Sequence, residues 1–160
     1  MRKRATILLG MAGGAIWAVV LVWAGGFARD VALDRALAVA FFLAGLPLML
    51  MIGRLAQRRF FDDSVIDGQP LSGPAEIDQR VLANTVEQIV LAACFWPLAG
   101  WALGGGTVVA LGAGFAVARC LFWLGYHMSP PLRSLGFAAS FYPTILAAAL
   151  ALIRTVSGSI

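Results

Sequence analysis

Five apolar runs, each long enough to cross a lipid bilayer, constrain this chain more than any other feature. A hydrocarbon core of about 30 Å takes about 20 residues of α-helix at roughly 1.5 Å each. Runs of that length occupy residues 5–27, 33–53, 81–103, 107–126 and 135–153. Inside a bilayer no water meets the backbone amides, so spanning segments are helices or closed barrels. A barrel would alternate apolar and polar residues in segments of about ten, and these runs do not alternate. The expected fold is therefore an all-α membrane protein of one domain with five spans. The 61% apolar and 12% charged content, with a mean hydropathy of +0.87, exclude an ordinary water-soluble core. Pro47 and Pro143 fall inside two runs and predict kinks rather than ends. Gly112, Ala116, Ala138, Ala147 and Ala151 predict close helix contacts, because packing drives association in lipid.

Basic residues set the expected orientation. Arg2, Lys3, Arg4, Arg54, Arg58, Arg59, Arg80 and Arg133 gather at one set of helix ends, against Arg29, Arg35 and Arg154 at the other. Positive charge stays in the cytoplasm, so the N-terminus, a connecting loop over 57–79 and the HMSPPLRS turn are expected there, with the C-terminus outside. MRKR before an apolar run also opens a signal peptide, but the run is too long and carries no convincing small-x-small cleavage site, which favours an uncleaved span. The net charge of +4 fits topology and anion binding better than nucleic-acid affinity. Cys94 and Cys120 lie in apolar runs and read as small hydrophobes. The lone His127 reads as an interfacial residue, and no metal set is visible.

Ionisable residues within spans are costly and call for an explanation. In RVLANTVEQ, Arg80, Asn84 and Glu87 fall at i, i+4 and i+7 on one helical face, with Gln88 on its border. In ARCLFWLGY, Arg119, Phe122 and Tyr126 repeat that pattern, and the next turn brings Arg133. Glu87 and Arg119 each lie seven residues, about 10 Å, from the cytoplasmic ends of adjacent antiparallel helices joined by a GGGT turn, so a direct ion pair is expected. By itself such a pair could be interhelical glue. With Arg80, Tyr126, Arg133 and the Arg58/Arg59 doublet at the same end, an anion-binding cup is the better joint reading. Several guanidinium groups with one carboxylate suit a zwitterion carrying excess carboxylates.

RVLANTVEQ followed by ARCLFWLGYHMSPPLRS resembles the membrane-associated proteins in eicosanoid and glutathione metabolism, the MAPEG family, over roughly residues 35–153. The resemblance implies a MAPEG-like four-helix transmembrane bundle over 31–160, with one extra N-terminal transmembrane helix over 1–30, assembled as a homotrimer. It implies glutathione as co-substrate, bound between subunits by Arg80, Asn84, Glu87, Arg119 and Tyr126, with Arg58 or Arg59 contributing. Gln88 and Phe122 would border that site where family members often carry tyrosines. Arg133 would be the catalytic arginine, stabilising the thiolate. The implied activity is a glutathione-dependent transferase or peroxidase in a bacterial inner membrane, acting on lipophilic compounds that arrive through the lipid. A non-enzymatic lipid-binding or structural protein of the same fold is the alternative. A small transporter is a weaker third, since five spans leave little room for a path.

Overall fold

The computed structural model describes residues 2–28, 31–67 and 69–158, the side chains of residues 2, 3 and 64 excepted. Among the described residues every regular element is helical. The order is α1 (Arg2–Gly25), α2 (Leu33–Phe60), a single turn α3 (Asp63–Ile66), α4 (Gly73–Leu103), α5 (Gly105–Met128) and α6 (Pro130–Val156). Five of the six are long and apolar enough to span a membrane. Arg29, counted above for orientation, lies outside the described residues.

The helices outrun their apolar runs. α2 continues to Phe60, and α4 begins at Gly73 with a proline in its first turn, so the expected loop over 57–79 shrinks to the segment around α3. Hydrophobicity stops where the bilayer stops, whereas backbone hydrogen bonding continues into water until a breaker intervenes. The expected turns shrink as well. Gly104, with φ of 102°, is the whole break between α4 and α5, a left-handed angle that a side chain would resist. Ser129 is the break between α5 and α6, and Pro130 at the first helical position starts α6 at once. Arg133 therefore sits on the first turn of a helix rather than in a loop.

α5 is the central helix and packs against α1, α2, α4 and α6. α1 runs parallel to α6, with Gly14 against Ala138 and the Ser134 hydroxyl donating to the Ile7 carbonyl at 3.3 Å. Among the described residues α1 meets α5 and α6 but neither α2 nor α4. The larger core cluster centres on Trp96, flanked by Phe41 and Phe115 at centroid distances of 5.3 and 6.0 Å. Its indole N–H donates to the Thr144 hydroxyl at 3.2 Å. Arg154 caps the far end by donating to the Ala102 carbonyl at 3.0 Å, one of the acceptors that the end of α4 leaves open. A smaller cluster at the arginine-rich end holds Met51, Val81 and Phe122.

The approach of α5 to α6 depends on Gly136, where a Cβ would run into the backbone of Phe122. Gly136→Val should therefore lower stability by about 1–3 kcal/mol, the usual cost of overpacking. Gly53→Ala, at a mid-helix glycine with nothing within 4 Å of the added carbon, should stabilise by up to about 1 kcal/mol. Thermal unfolding of both variants in detergent checks the contrast.

Candidate functional site

The inner stripe of α5 is Leu111, Phe115, Arg119 and Phe122, at spacings of four, four and three. That register carries a guanidinium into the bundle, and Arg119 is 0% exposed. A buried cation survives only when its donors are used. Nε and Nη2 both donate to the Thr85 hydroxyl, at 3.1 and 2.9 Å. Nη2 also reaches Asn84 Oδ1 at 3.0 Å, and Nη1 reaches the Ser140 hydroxyl at 3.3 Å. The plane of the guanidinium lies over the Phe122 ring, 3.9 Å from its centroid, a cation–π contact. One side chain thereby ties α4, α5 and α6 together.

The expected direct pair of Glu87 with Arg119 is replaced by a relay. Asn84 Nδ2 donates to Glu87 Oε2 at 3.1 Å while its Oδ1 accepts from Arg119, so the amide dipole lies between anion and cation. Equal depth put the two charges on one level, but their directions differ. The inner stripe of α4 is Val81, Thr85, Gln88, Ala92 and Trp96, whereas Glu87 faces outward and is exposed. Gln88 accordingly belongs to the buried stripe and not to the face that carries Glu87. Arg80, one turn from Asn84, is exposed and paired with Glu76 at 2.5 Å.

Phe122 supports the site from behind. It is buried, and its ring meets Tyr126 edge-on with centroids 5.0 Å apart. The exposed Arg133 lies over the other aromatic of this pair, its guanidinium 4.9 Å from the centre of the Tyr126 ring. The structure thus links Glu87, Asn84, Arg119, Phe122, Tyr126 and Arg133 in one chain of contacts across three helices.

Arg58 and Arg59 part company. Arg59 donates to Gln79 Oε1 at 3.0 Å. Arg58 instead binds Asp78 Oδ2 through Nε at 2.6 Å, while Asp78 Oδ1 accepts from the Trp123 indole and meets His127 Nε2, both at 2.8 Å. Asp78 is 2% exposed. Two residues on a helix are about 200° apart, so this cluster faces away from Arg80 and belongs to the α2–α5 side. His127, expected to be an ordinary interfacial residue, is one of its members. Sequence reading missed Thr85, Ser140, Asp78 and Trp123. Only Asp78, a charge three residues before an apolar run, carried a usable signal. Among the described residues no three His, Cys, Asp or Glu side chains are placed to hold a metal ion.

A model of the MAPEG family matches residues 36–153, well over half of the chain and the whole of the polar site. The chain belongs to the MAPEG family. α1 and the start of α2 lie outside the match. No curated protein and no solved structure matches the chain. Membership and the five span-length helices make it an integral membrane protein of the MAPEG fold.

The relay predicts unequal mutants. Thr85→Val removes the acceptor of two bonds from a buried cation and should cost about 1.5–3 kcal/mol. Glu87→Gln, at an exposed position one residue removed from Arg119, should cost under about 1 kcal/mol. Thermal unfolding in detergent distinguishes this order from a direct Glu87–Arg119 pair, which would reverse it.

Proposed function

We propose that the exposed face of Arg80, Asn84 and Glu87, with Tyr126 and Arg133 beside it, is a glutathione site completed by a neighbouring subunit of a homotrimer. The observation that carries this reading is Glu87 itself, an outward-facing carboxylate within a helix of spanning length. An ionised side chain facing lipid in mid-helix costs about 2.5–3.5 kcal/mol on insertion scales. A second subunit with a polar ligand between the two removes that cost. Family membership supports glutathione as the ligand.

In this reading Arg80 takes a glutathione carboxylate, and Asn84 and Glu87 take its amino and amide groups. Arg119 acts from behind by fixing Asn84. Arg58 lies with Asp78 on the side of α4 away from Arg80 and is left out of this set. Arg133 is the catalytic residue. Its permanent charge beside the sulfur holds the thiol as thiolate, which attacks a lipophilic electrophile from the bilayer and displaces its leaving group, or attacks the terminal oxygen of a lipid hydroperoxide, cleaving the O–O bond to give the lipid alcohol and a glutathione sulfenic acid that a second glutathione reduces to disulfide and water. The arginine-rich end would face the cytoplasm of a bacterial cell, with the C-terminus periplasmic.

Arg133→Ala should leave glutathione affinity within about tenfold, or about 1.4 kcal/mol, while turnover of a chlorinated dinitrobenzene and the thiolate absorbance both fall much further. Glu87→Ala should do the reverse, weakening binding with turnover partly restored at saturating glutathione. Calorimetric titration with steady-state kinetics makes the comparison. If wild-type protein binds no glutathione at roughly millimolar concentration, the enzymatic reading fails and the non-enzymatic, lipid-binding reading takes its place; the buried Phe122, which offers no hydroxyl, favours that second reading. For orientation, a cysteine at position 67 should label from the cytoplasm and one at 157 from the other side.

A further inference from the structure

We infer that a groove on the outside of the bundle, between α1 and α2 and away from the Arg80–Glu87 face, binds an anionic phospholipid. Its floor is the outer face of α5, where Ala113, Val117, Cys120 and Leu124 are exposed at spacings of four, three and four. Both neighbours pack on α5, yet among the described residues α1 and α2 make no contact with each other, so the floor stays uncovered. From Ala113 to Leu124 the floor runs about 16 Å, close to the roughly 15 Å of one leaflet's hydrocarbon. Beside Val117 it opens into an apolar crevice of about 210 Å³ against Gly13 and Trp17 of α1. Such a surface accepts an acyl chain.

The arginine-rich end of the groove has the opposite character. A cavity of about 330 Å³, within the range of roughly 300–1,000 Å³ for ligand sites, is lined by Arg54, Arg58, Asp78, Trp123, Leu124 and His127. Leu124 belongs to both parts, which makes floor and cavity continuous. Among the described residues that line it Asp78 is the one acidic group, and both of its oxygens are occupied by Arg58, Trp123 and His127; Arg58 also borders a neighbouring cavity with Asp62 and Asp63, which leaves Arg54 as the guanidinium that meets no other carboxylate in these linings. Arg58 uses only Nε for that pair, and Arg54 gives one Nη to Gln57 at 2.6 Å. Within this lining the two guanidinium groups leave one positive charge over Asp78 even with His127 neutral, and that charge is centred on Arg54. Basic pockets between helices at the membrane surface suit lipid phosphates. A cationic head above one leaflet's length of apolar floor is the complement of an anionic lipid, and it owes nothing to the glutathione reading.

The test is native mass spectrometry of the full-length protein in mild detergent, mixed with equimolar phosphatidylglycerol and phosphatidylcholine of equal chain length. Wild type should retain phosphatidylglycerol at least about fivefold over phosphatidylcholine. Arg54→Gln should bring the ratio to near one, and Arg54→Lys should restore most of it. Cys120→Trp, which fills the floor, should reduce retention of both lipids. Equal retention by wild type, or a preference untouched by Arg54→Gln, overturns the headgroup assignment. A Cys120→Trp variant that binds lipid normally but changes its subunit number overturns the lipid in favour of a second copy of the chain.

Discussion

The arrangement of this bundle follows from one buried charge. In lipid the hydrophobic effect gives no preference for helix against helix, so close packing and polar contacts must hold the spans together. Arg119 supplies the strongest constraint of that kind, because a fully buried guanidinium left unpaired would cost several kcal/mol. Its bonds to Thr85, Asn84 and Ser140 exist only if α4 and α6 both lie against α5 at one level. Gly136 permits that approach, and Phe122 covers the charge from the remaining side. Asn84, Glu87 and Tyr126 inherit their positions from it.

Hydropathy made the spans legible because the bilayer imposes a length, and helical periodicity made the Arg80–Asn84–Glu87 face legible because it imposes an angle. Two other things were not. Helix ends depend on backbone hydrogen bonds and breakers rather than on apolarity, which is why α2 and α4 run on into the expected loop. Contacts between helices depend on relative rotation, which depth alone does not supply. Glu87 and Arg119 share a level, but Arg119 enters on the stripe of Thr85, so Asn84 stands between them. The hydroxyls of Thr85 and Ser140 have no sequence signature inside apolar runs, where such residues more often bond the preceding turn, as Thr85 also does to Val81.

Counting arginines at one end also merged two surfaces that rotation separates. Arg58 and Arg80 look equivalent as topology signals, since both flank the same connection. On the bundle they stand on opposite sides of α4, Arg58 with Asp78, Trp123 and His127, and Arg80 with Glu76 above Asn84. The first group joins α2, α4 and α5 by a carboxylate with both oxygens used. The second leaves its polar groups facing outward. The buried carboxylate of the first ties three helices together beneath guanidinium groups that still face a cavity, whereas the carboxylate of the second, Glu87, faces away from the bundle.

The position of α1 follows the same division. It packs along α6 and α5 and, among the described residues, reaches neither α2 nor α4, so it leaves the Glu87 face open. Had it packed on α4, it would have covered the mid-helix carboxylate of Glu87 with apolar side chains, at the price of an unpaired buried charge. Its small residues instead find a parallel partner in α6 through Gly14 and Ala138. The consequence falls on the other side of the molecule. A bundle in which α2 flanks α5 alone would present a convex outer surface there, but a second wall raised by α1 turns the exposed strip of α5 into a groove. α1, which lies outside the family match, therefore changes what the protein offers to the bilayer while leaving uncovered the polar face of α4.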